Sequence, residues 1–298
     1  MLLRRSDKIE TSIKKIVEDT ALELLRRASV RLPPDVLAAL ERAAREENSE
    51  MGRSQLNAIL KNVRLAEEKK RPICQDTGLI IFYATIGDKF GDFAFLPESL
   101  AEATRRATRE VPLRPNAVHP LTRRNSGDNT GTDVPIIYYD IAKGDFLDLT
   151  ALPKGAGAEN MSALAILAPS DDDKSIRRFV LDTIVAAGGR PCPPVVVGIG
   201  VGGEADLAMK LAKKALLRPL DKHHPEENIA QLEEELLKMI NSTGIGPMGL
   251  GGKSTALGLN VEYAYCHTAS LPVGINVQCW ASRRAMARVH KDGHVEYM

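Results

Sequence analysis

The spacing of apolar residues changes near residue 70, and this change constrains the fold more than any other feature of the chain. Before it, apolar side chains recur at helical spacing, as they do from Ile13 and Val17 to Ala21 and Leu24. This spacing predicts helices over residues 8–28, 35–47 and 54–70. Beyond residue 70, short apolar segments rich in β-branched residues alternate with amphipathic helices. Such alternation predicts a mixed α/β fold.

Strands and helices can be assigned along the remainder of the chain by the same criteria. Strands are predicted over residues 79–86, 134–141 and 194–199, and the tail over residues 257–289 is strand-like throughout. Helices are predicted over residues 98–110, 175–187, 204–217 and 226–240. We therefore expect a helical N-terminal region, residues 1–70, and an α/β region, residues 71–298, that together form one continuous domain.

Charge and composition argue against two kinds of partner. The 298 residues include 40 basic and 39 acidic side chains, so the net charge is +1 and lacks the basic excess of a nucleic-acid binder. Aromatic residues make up only 4%, too few for a base-stacking surface. No apolar run approaches the roughly 20 residues that cross a bilayer, and the first residues do not have the pattern of a signal peptide. We expect a cytoplasmic protein that binds neither nucleic acid nor membrane.

Two glycine-rich segments imitate nucleotide-binding motifs. Gly198, Gly200 and Gly203 form G-x-G-x-x-G between a strand and a helix, but no acidic residue ends a second strand about 20 residues later. Residues 249–255 resemble a phosphate loop, yet Pro247 stands where the first glycine is required. A nucleotide-binding dehydrogenase would depend on the first segment alone. For both segments a structural glycine turn is the favoured interpretation.

Three cysteines share a similar setting. Cys74, Cys192 and Cys279 each lie near proline, glycine or small polar residues, at intervals that fit neither a zinc finger nor a redox CxxC motif. Thiols this far apart are usually unrelated. The alternative is that three thiolates hold a [4Fe–4S] cluster and leave one iron open as a Lewis acid. We expect Cys266, beside His267, to be a packing residue.

Several polar residues have both a structural and a chemical interpretation. Asp76, in Cys74-Gln75-Asp76-Thr77-Gly78, could cap its own turn or transfer a proton. Arg114 is stiffened by flanking prolines, which suits bidentate carboxylate binding, but it could equally be a surface arginine. The polar loop at residues 125–133 could be merely solvated or could line a site. His267 could be an acid, a base, a donor to substrate or an ordinary structural residue.

Taken together, these segments resemble the alpha subunit of the iron–sulfur (class I) fumarate hydratases and, more distantly, that of the L-tartrate dehydratases. The resemblance extends over nearly the whole chain in one order. It is carried by residues 72–78 (PICQDTG), 113–116 (LRPN), 129–132 (NTGT), 153–161 (PKGAGAENM), 192–198 (CPPVVVG), 244–249 (GIGPMG), 267–272 (HTASLP) and 278–280 (QCW).

The resemblance implies α/β layers around an iron–sulfur site and assigns roles to particular residues. A [4Fe–4S] cluster would be held by Cys74, Cys192 and Cys279. The dicarboxylate would be bound by residues from four segments, namely Gln75, Asp76, Arg114, Gly155, Ala156, Gly157 and His267. Asp76 and His267 would be catalytic. Ala156 departs from the family pattern, in which glycine is expected.

The function that the resemblance implies is reversible hydration of fumarate to L-malate, which belongs to the tricarboxylic acid cycle. In single-chain relatives a second domain follows, so we expect this chain to be active only with a separate beta subunit, as an α2β2 assembly. The alternatives are an L-tartrate dehydratase alpha subunit and a non-catalytic iron–sulfur subunit that senses redox state. The residues 159–162, Glu-Asn-Met-Ser, favour the fumarate enzymes over the tartrate enzymes.

Overall fold

The computed structural model describes residues 3–298, with side chains described for residues 13–170 and 173–298. Two compact units can be distinguished. The first comprises the chain up to Pro33 together with Val63–Lys154 and Arg283–Met298, and the second comprises Pro34–Asn62 and Gly155–Ser282. The division expected from the sequence, at residue 70 of one continuous domain, stays a prediction.

The first unit is a mixed sheet covered by helices. Its helices are α1 (Leu3–Val30), the end of α3 (Glu50–Lys69) and α4 (Leu96–Glu110), and its strands are β1 (Leu79–Gly87), β2 (Ile136–Ala142), β3 (Phe146–Lys154), β8 (Ala285–His290) and β9 (Val295–Tyr297). The strand order is β2-β1-β3-β8-β9. Only the β1–β2 pair is parallel, which requires a crossover connection, and α4 provides it.

The second unit contains a smaller mixed sheet. Its helices are α2 (Pro34–Glu46), the start of α3, α5 (Ala156–Glu159), α6 (Asp172–Ala187), α7 (Ala205–Ala215) and α8 (Glu227–Ser242), and its strands are β4 (Ala163–Leu167), β5 (Val195–Val201), β6 (Ala256–Tyr263) and β7 (Leu271–Gln278). The strand order is β4-β7-β5-β6. β5 runs parallel to β6 and antiparallel to β7.

Each unit has its own apolar core, formed where helices cover the sheet. In the first unit, Leu24 and Leu25 of α1 join Phe82 of β1 and Leu147 and Leu149 of β3 in a fully buried cluster. In the second, the buried residues come from α6, α8, β5, β6 and β7. Because strands buried on both faces read as continuous apolar runs, β5 (Val-Val-Val-Gly-Ile) was recognisable in the sequence.

The predicted mixed α/β class is confirmed, and most elements lie within a few residues of their expected bounds. The strands β3, β4 and β9 and the single-turn helix α5 were not predicted from the sequence. The tail that was treated as one strand-like stretch is three separate strands, β6, β7 and β8. Nowhere in the described part of the chain is there a helix of the length and apolar character that a membrane span needs.

The G-x-G-x-x-G segment has a packing role. A Cβ atom at Gly198 would lie 2.1 Å from the Ala212 carbonyl oxygen, and one at Gly200 would lie 2.0 Å from that of Ala208. These glycines therefore allow α7 to lie directly against β5. Close approach of helix and strand explains the pattern without a nucleotide, as the structural interpretation expected.

Candidate active site

In the first unit, the turn at residues 74–78 is held in a fixed conformation just before β1. Gly78 has a φ of +86°, and a Cβ atom there would lie 2.6 Å from the backbone nitrogen of Lys154. The Asp76 Oδ1 atom accepts the Gly78 N–H at 3.0 Å. The capping role expected for Asp76 is thus present. A cap of this kind fixes the orientation of the carboxylate relative to the turn.

Hydrogen bonds from Thr77 and Asn116 join this turn to the segment that carries Arg114, and Asn129 braces that segment. The Thr77 hydroxyl donates to the Arg114 carbonyl at 3.1 Å, and the Asn116 amide lies 3.4 Å from Asp76 Oδ1. Asn129 is completely buried; it donates to the Arg114 carbonyl at 3.1 Å and accepts the Asn116 backbone N–H at 2.6 Å. The polar loop at residues 125–133 therefore contributes a buried brace to this site.

The side chains of Gln75 and Arg114 are exposed, whereas the backbone that carries them is fixed. Both residues lie within the hydrogen-bonded group around Asp76 in the first unit. An exposed guanidinium can receive a carboxylate in a bidentate manner because its planar fork matches the two carboxylate oxygens. Gln75, Asp76 and Arg114 were predicted to share one site. In the structure, the segment of Arg114 adjoins the turn that carries Gln75 and Asp76.

Arg283, which was not among the predicted site residues, also contacts this turn. Its side chain is 1% exposed, and Nη2 donates to the Asp76 carbonyl at 2.9 Å. The Nε and Nη1 atoms are buried and have no hydrogen-bond partner within the described residues. The pair Arg283-Arg284 resembles an ordinary surface motif, so only the fold reveals a buried cation here.

In the second unit, Cys192 and Cys279 lie at the same end of the sheet. Cys192 shortly precedes β5 and Cys279 directly follows β7, and these antiparallel strands pair Val196 with Gln278. The backbone N–H of Trp280 donates to the Cys192 carbonyl at 3.2 Å. Both thiols are partly exposed, and Cys192 has a φ of +56°. The fold thus brings together two segments that are far apart in the sequence.

A buried carboxylate supports the loop beside Cys192. Glu47 is 1% exposed and accepts the backbone N–H groups of Lys253 and Ser254 at 2.9–3.0 Å. Burial alone raises the pKa of Glu47, but hydrogen bonds from the backbone of Lys253, Ser49 and Ser254 outweigh it and hold the pKa below its usual range. The glycine-rich segment that resembles a phosphate loop therefore surrounds a carboxylate of its own chain.

The expected glycine turn at residues 155–157 is the start of helix α5, with Gly155 as its N-cap. Ala156 is an exposed helical residue, so its methyl group creates no backbone strain. Glu159 at the end of α5 accepts the Lys213 ammonium at 2.6 Å and the Asn276 amide at 3.0 Å. This partly buried ion pair anchors α5, a contact that sequence analysis missed.

His267 lies in the exposed loop after β6, at a surface cavity of about 590 Å³ that is also lined by Glu204, Lys210 and Cys266. Its Nδ1 atom accepts the Ala269 N–H at 3.1 Å, which leaves the proton of the neutral imidazole on Nε2. His267 is therefore arranged as a hydrogen-bond donor. Cys266 is exposed on this loop, so the prediction that it is a packing residue is wrong.

All four cysteines are free of disulfides. Within the described residues, no group of three or more His, Cys, Asp or Glu side chains is arranged to hold a single metal ion. The ligands of a [4Fe–4S] cluster need not converge on a single ion, since each thiolate binds a different iron. Reduced, partly exposed thiols on braced turns are chemically suited to that group, and the adjoining segments of Cys192 and Cys279 fit it.

A model of the family described as Fumarate hydratase (Fumerase) matches residues 18–288. The chain belongs to this family. The matched span contains every candidate residue of the site. A relative from Methanocaldococcus jannaschii, provisionally named L(+)-tartrate dehydratase subunit alpha, is 52% identical over 280 residues, which cover 93% of this chain and 98% of the relative.

Bacterial members of the family are also similar over most of their length. The L(+)-tartrate dehydratase subunit alpha of Escherichia coli strain UTI89 is 35% identical over 284 residues, covering 95% of this chain and 93% of the relative. The protein of the same name from strain K12 is 34% identical over 284 residues, with the same coverage. The expected relationship to the fumarate hydratases and the L-tartrate dehydratases is thereby confirmed.

Proposed function

We propose that this chain is the alpha subunit of an iron–sulfur hydro-lyase that reversibly hydrates fumarate to L-malate together with a separate beta subunit. The observation that carries the proposal is the joined pair of segments that bear Asp76 and Arg114, within a chain that matches the fumarate hydratase family over residues 18–288. This pair offers a carboxylate for proton transfer and an exposed guanidinium for a substrate carboxylate.

Cys74, Cys192 and Cys279 would hold a [4Fe–4S] cluster. Cys74 precedes the braced Asp76 turn, while Cys192 and Cys279 lie on adjoining segments of the second unit, so each thiol has a fixed backbone. When bound, the cluster supplies an open iron that acts as a Lewis acid toward the hydroxyl and carboxylate of the substrate. The family relationship supports this cofactor.

Substrate binding would involve charge and hydrogen bonding from several segments. The Arg114 guanidinium would pair with one carboxylate, and Gln75 would add a neutral donor. The residues Gly155, Ala156 and Gly157, at the start of α5, would present backbone amides. His267 would donate from Nε2, because its Nδ1 already accepts the Ala269 N–H.

The elimination direction requires a proton to leave carbon 3 of malate and hydroxide to leave carbon 2, so that the carbon–carbon double bond of fumarate forms and the two are released together as water. Asp76 is the proposed proton acceptor, since its carboxylate is held by the turn itself and lies on the segment joined to Arg114. Negative charge that develops toward the neighbouring carboxylate would be stabilised by Arg114 and the amides of α5. The beta subunit would supply the remaining substrate contacts, in line with the "subunit alpha" names of the relatives.

Dehydration of L-tartrate is a second candidate, favoured by the names of the relatives. Tartrate differs from malate by one further hydroxyl group, so the same binding and proton-transfer residues could serve both substrates. A redox-sensing subunit would need a cluster, but it would not need Asp76, Arg114 and His267 in these arrangements.

The deciding experiment is anaerobic reconstitution of the chain with iron, sulfide and its beta subunit. The release of fumarate from L-malate and of oxaloacetate from L-tartrate would be measured in the same preparation. A higher kcat/KM for malate is the expected result. A higher kcat/KM for tartrate would transfer the assignment to tartrate dehydratase, and absence of turnover with a full cluster would favour the sensor.

A further inference from the structure

Arg283 is a buried cation that has no charge partner among the residues whose side chains the structure describes. It is among the largest side chains with less than 2% of their surface exposed. Its Nη2 atom donates a hydrogen bond to the neutral carbonyl of Asp76. Within the described residues, no acceptor lies within reach of Nε or Nη1.

Burial of a guanidinium is unfavourable in free energy unless an anion is buried beside it. A guanidinium stays protonated in proteins, so it cannot escape the cost of burial by losing its proton. A buried charge that lacks its partner destabilises a protein. A bound group that supplies the missing charge and accepts the N–H groups of Nε and Nη1 would remove this penalty.

The position of Arg283 indicates which group this is. Because the guanidinium is planar and rigid, Nε and Nη1 lie close to the Asp76 carbonyl that holds Nη2. Asp76 follows Cys74 by two residues, and Arg283 follows Cys279 by four. At 1% exposure the side chain is also withdrawn from the solvent through which a substrate arrives.

We propose that Arg283 is a positioning residue that donates hydrogen bonds from Nε and Nη1 to the iron–sulfur group, at a sulfide or a cysteine sulfur, and balances its negative charge. This inference rests on the cluster of the proposed function. Hydrogen bonds and charge near the sulfurs set the reduction potential of such clusters. A fixed cation favours the reduced, more negative form and thus raises the potential.

The first test compares thermal unfolding with and without the cluster. In the full chain, Arg283→Met should leave the Tm of the cluster-free protein unchanged or raise it, because an unpaired buried charge is removed. The same substitution should lower the Tm of the loaded protein. Arg288→Met is the matched control, since that arginine already pairs with Asp148 at 2.6 Å; it should shift both forms equally.

The second test measures the midpoint potential of the cluster at matched iron content. Arg283→Met should shift it to a more negative value, Arg283→Lys should keep it nearer to wild type, and Arg288→Met should leave it unmoved. If Arg283→Met fails to fold, Arg283→Gln replaces it in both measurements.

Two results would contradict the inference in different ways. An equal loss of Tm in both forms, with an unmoved potential, would mean that Arg283 only braces the Asp76 carbonyl, and the proposed function would survive. Absence of iron and sulfide from reconstituted wild-type protein would overturn the proposed cluster itself, and with it this role of Arg283.

Discussion

The carboxylate of Glu47 accepts the backbone N–H of Lys253 at both of its oxygens, at 2.9 and 3.0 Å, across 206 positions of the sequence. This contact closes the glycine-rich loop that begins near Gly246. From the same loop the Met248 N–H donates to the Pro193 carbonyl at 2.7 Å, one residue from Cys192. The buried Glu47 carboxylate, directly after α2, therefore supports the segment that carries Cys192, a candidate cluster ligand.

Replacing Glu47 with glutamine should destabilise the protein. The amide keeps one acceptor oxygen but loses the charge and presents an NH₂ group to backbone N–H donors. Hydrogen bonds to a charged group contribute about 1.5–3 kcal/mol each, so we expect a loss of at least about 2 kcal/mol in the free energy of unfolding. Chemical denaturation of the cluster-free chain measures it, with the exposed neighbour Glu46→Gln as control.

The Glu47 effect should depend on pH in a defined direction. Its pKa is lower in the folded than in the unfolded chain, so the stabilisation is complete above the usual carboxyl range and disappears as the pH falls through the lowered pKa. The stability difference between wild type and Glu47→Gln should therefore shrink in acid. A difference that stays constant from neutral pH into strong acid would contradict the ionic role.

The parts of the site that could be predicted are those with a local signature. The Asp76 turn, which the structure contains, followed from Asp-Thr-Gly alone. The choice of Cys74, Cys192 and Cys279 as cluster ligands came from the residues beside them and stays a prediction. Strands such as β1 and β5 carry continuous apolar runs that local spacing reveals. By contrast, β4 is short and half-exposed, and its Ala and Leu residues favour helix as much as strand.

The parts that could not be predicted depend on contacts across long sequence separations. Arg283 and Asp76 are 207 positions apart, and neither residue suggests the other. Asn129 lies in a loop without apolar side chains, yet the fold buries it completely. Gly198 and Gly200 resemble a cofactor motif for a physical reason. A helix that packs closely on a strand and a cofactor that approaches the backbone closely both require a residue without a Cβ atom.

Cys192→Ser should abolish the proposed cluster, whereas Cys266→Ser should retain it. A serine hydroxyl is a poor substitute for a thiolate toward iron, and Cys266 lies exposed on a loop beside His267. Iron and sulfide per chain, measured after anaerobic reconstitution, check both variants. Full iron and sulfide content in Cys192→Ser would remove that residue from the ligand set.

Arg114→Lys should weaken binding of the dicarboxylate although the charge is kept. An ammonium cannot reproduce the two parallel hydrogen bonds of a guanidinium, and loss of one charge-assisted bond costs about 1.5–3 kcal/mol, or roughly 10- to 150-fold. The KM for L-malate in the complex with the beta subunit measures this. Arg124→Lys, also exposed, is the control. An unchanged KM would assign the carboxylate contact to another guanidinium.

The chain without its beta subunit should show little or no hydratase activity, even with a complete cluster. The proposed contacts of this chain account for one side of the substrate, and the relatives are named as alpha subunits. Malate dehydration by the reconstituted chain should rise steeply when the beta subunit is added. Equal turnover per cluster with and without that subunit would contradict the proposed division of the site.

Asp76→Asn should lower turnover far more than it weakens substrate binding. The amide oxygen can still accept the Gly78 N–H, so the turn is retained, but the side chain can no longer take up a proton. General acid–base catalysis contributes roughly 10²–10⁴-fold, so kcat per bound cluster should fall by about 10²-fold or more with little change in KM.

A second aspartate allows the structural contribution of such a turn to be measured separately. Asp128 Oδ1 accepts the Thr130 N–H at 3.0 Å in a turn of the same kind, on the loop that carries Asn129. Asp128→Asn should therefore alter stability without a comparable loss of turnover per cluster. If the two variants show equal turnover at equal cluster content, Asp76 is only a turn residue. The proton acceptor must then be His267 or a residue of the beta subunit, because a group that leaves the rate unaffected cannot accept the carbon 3 proton.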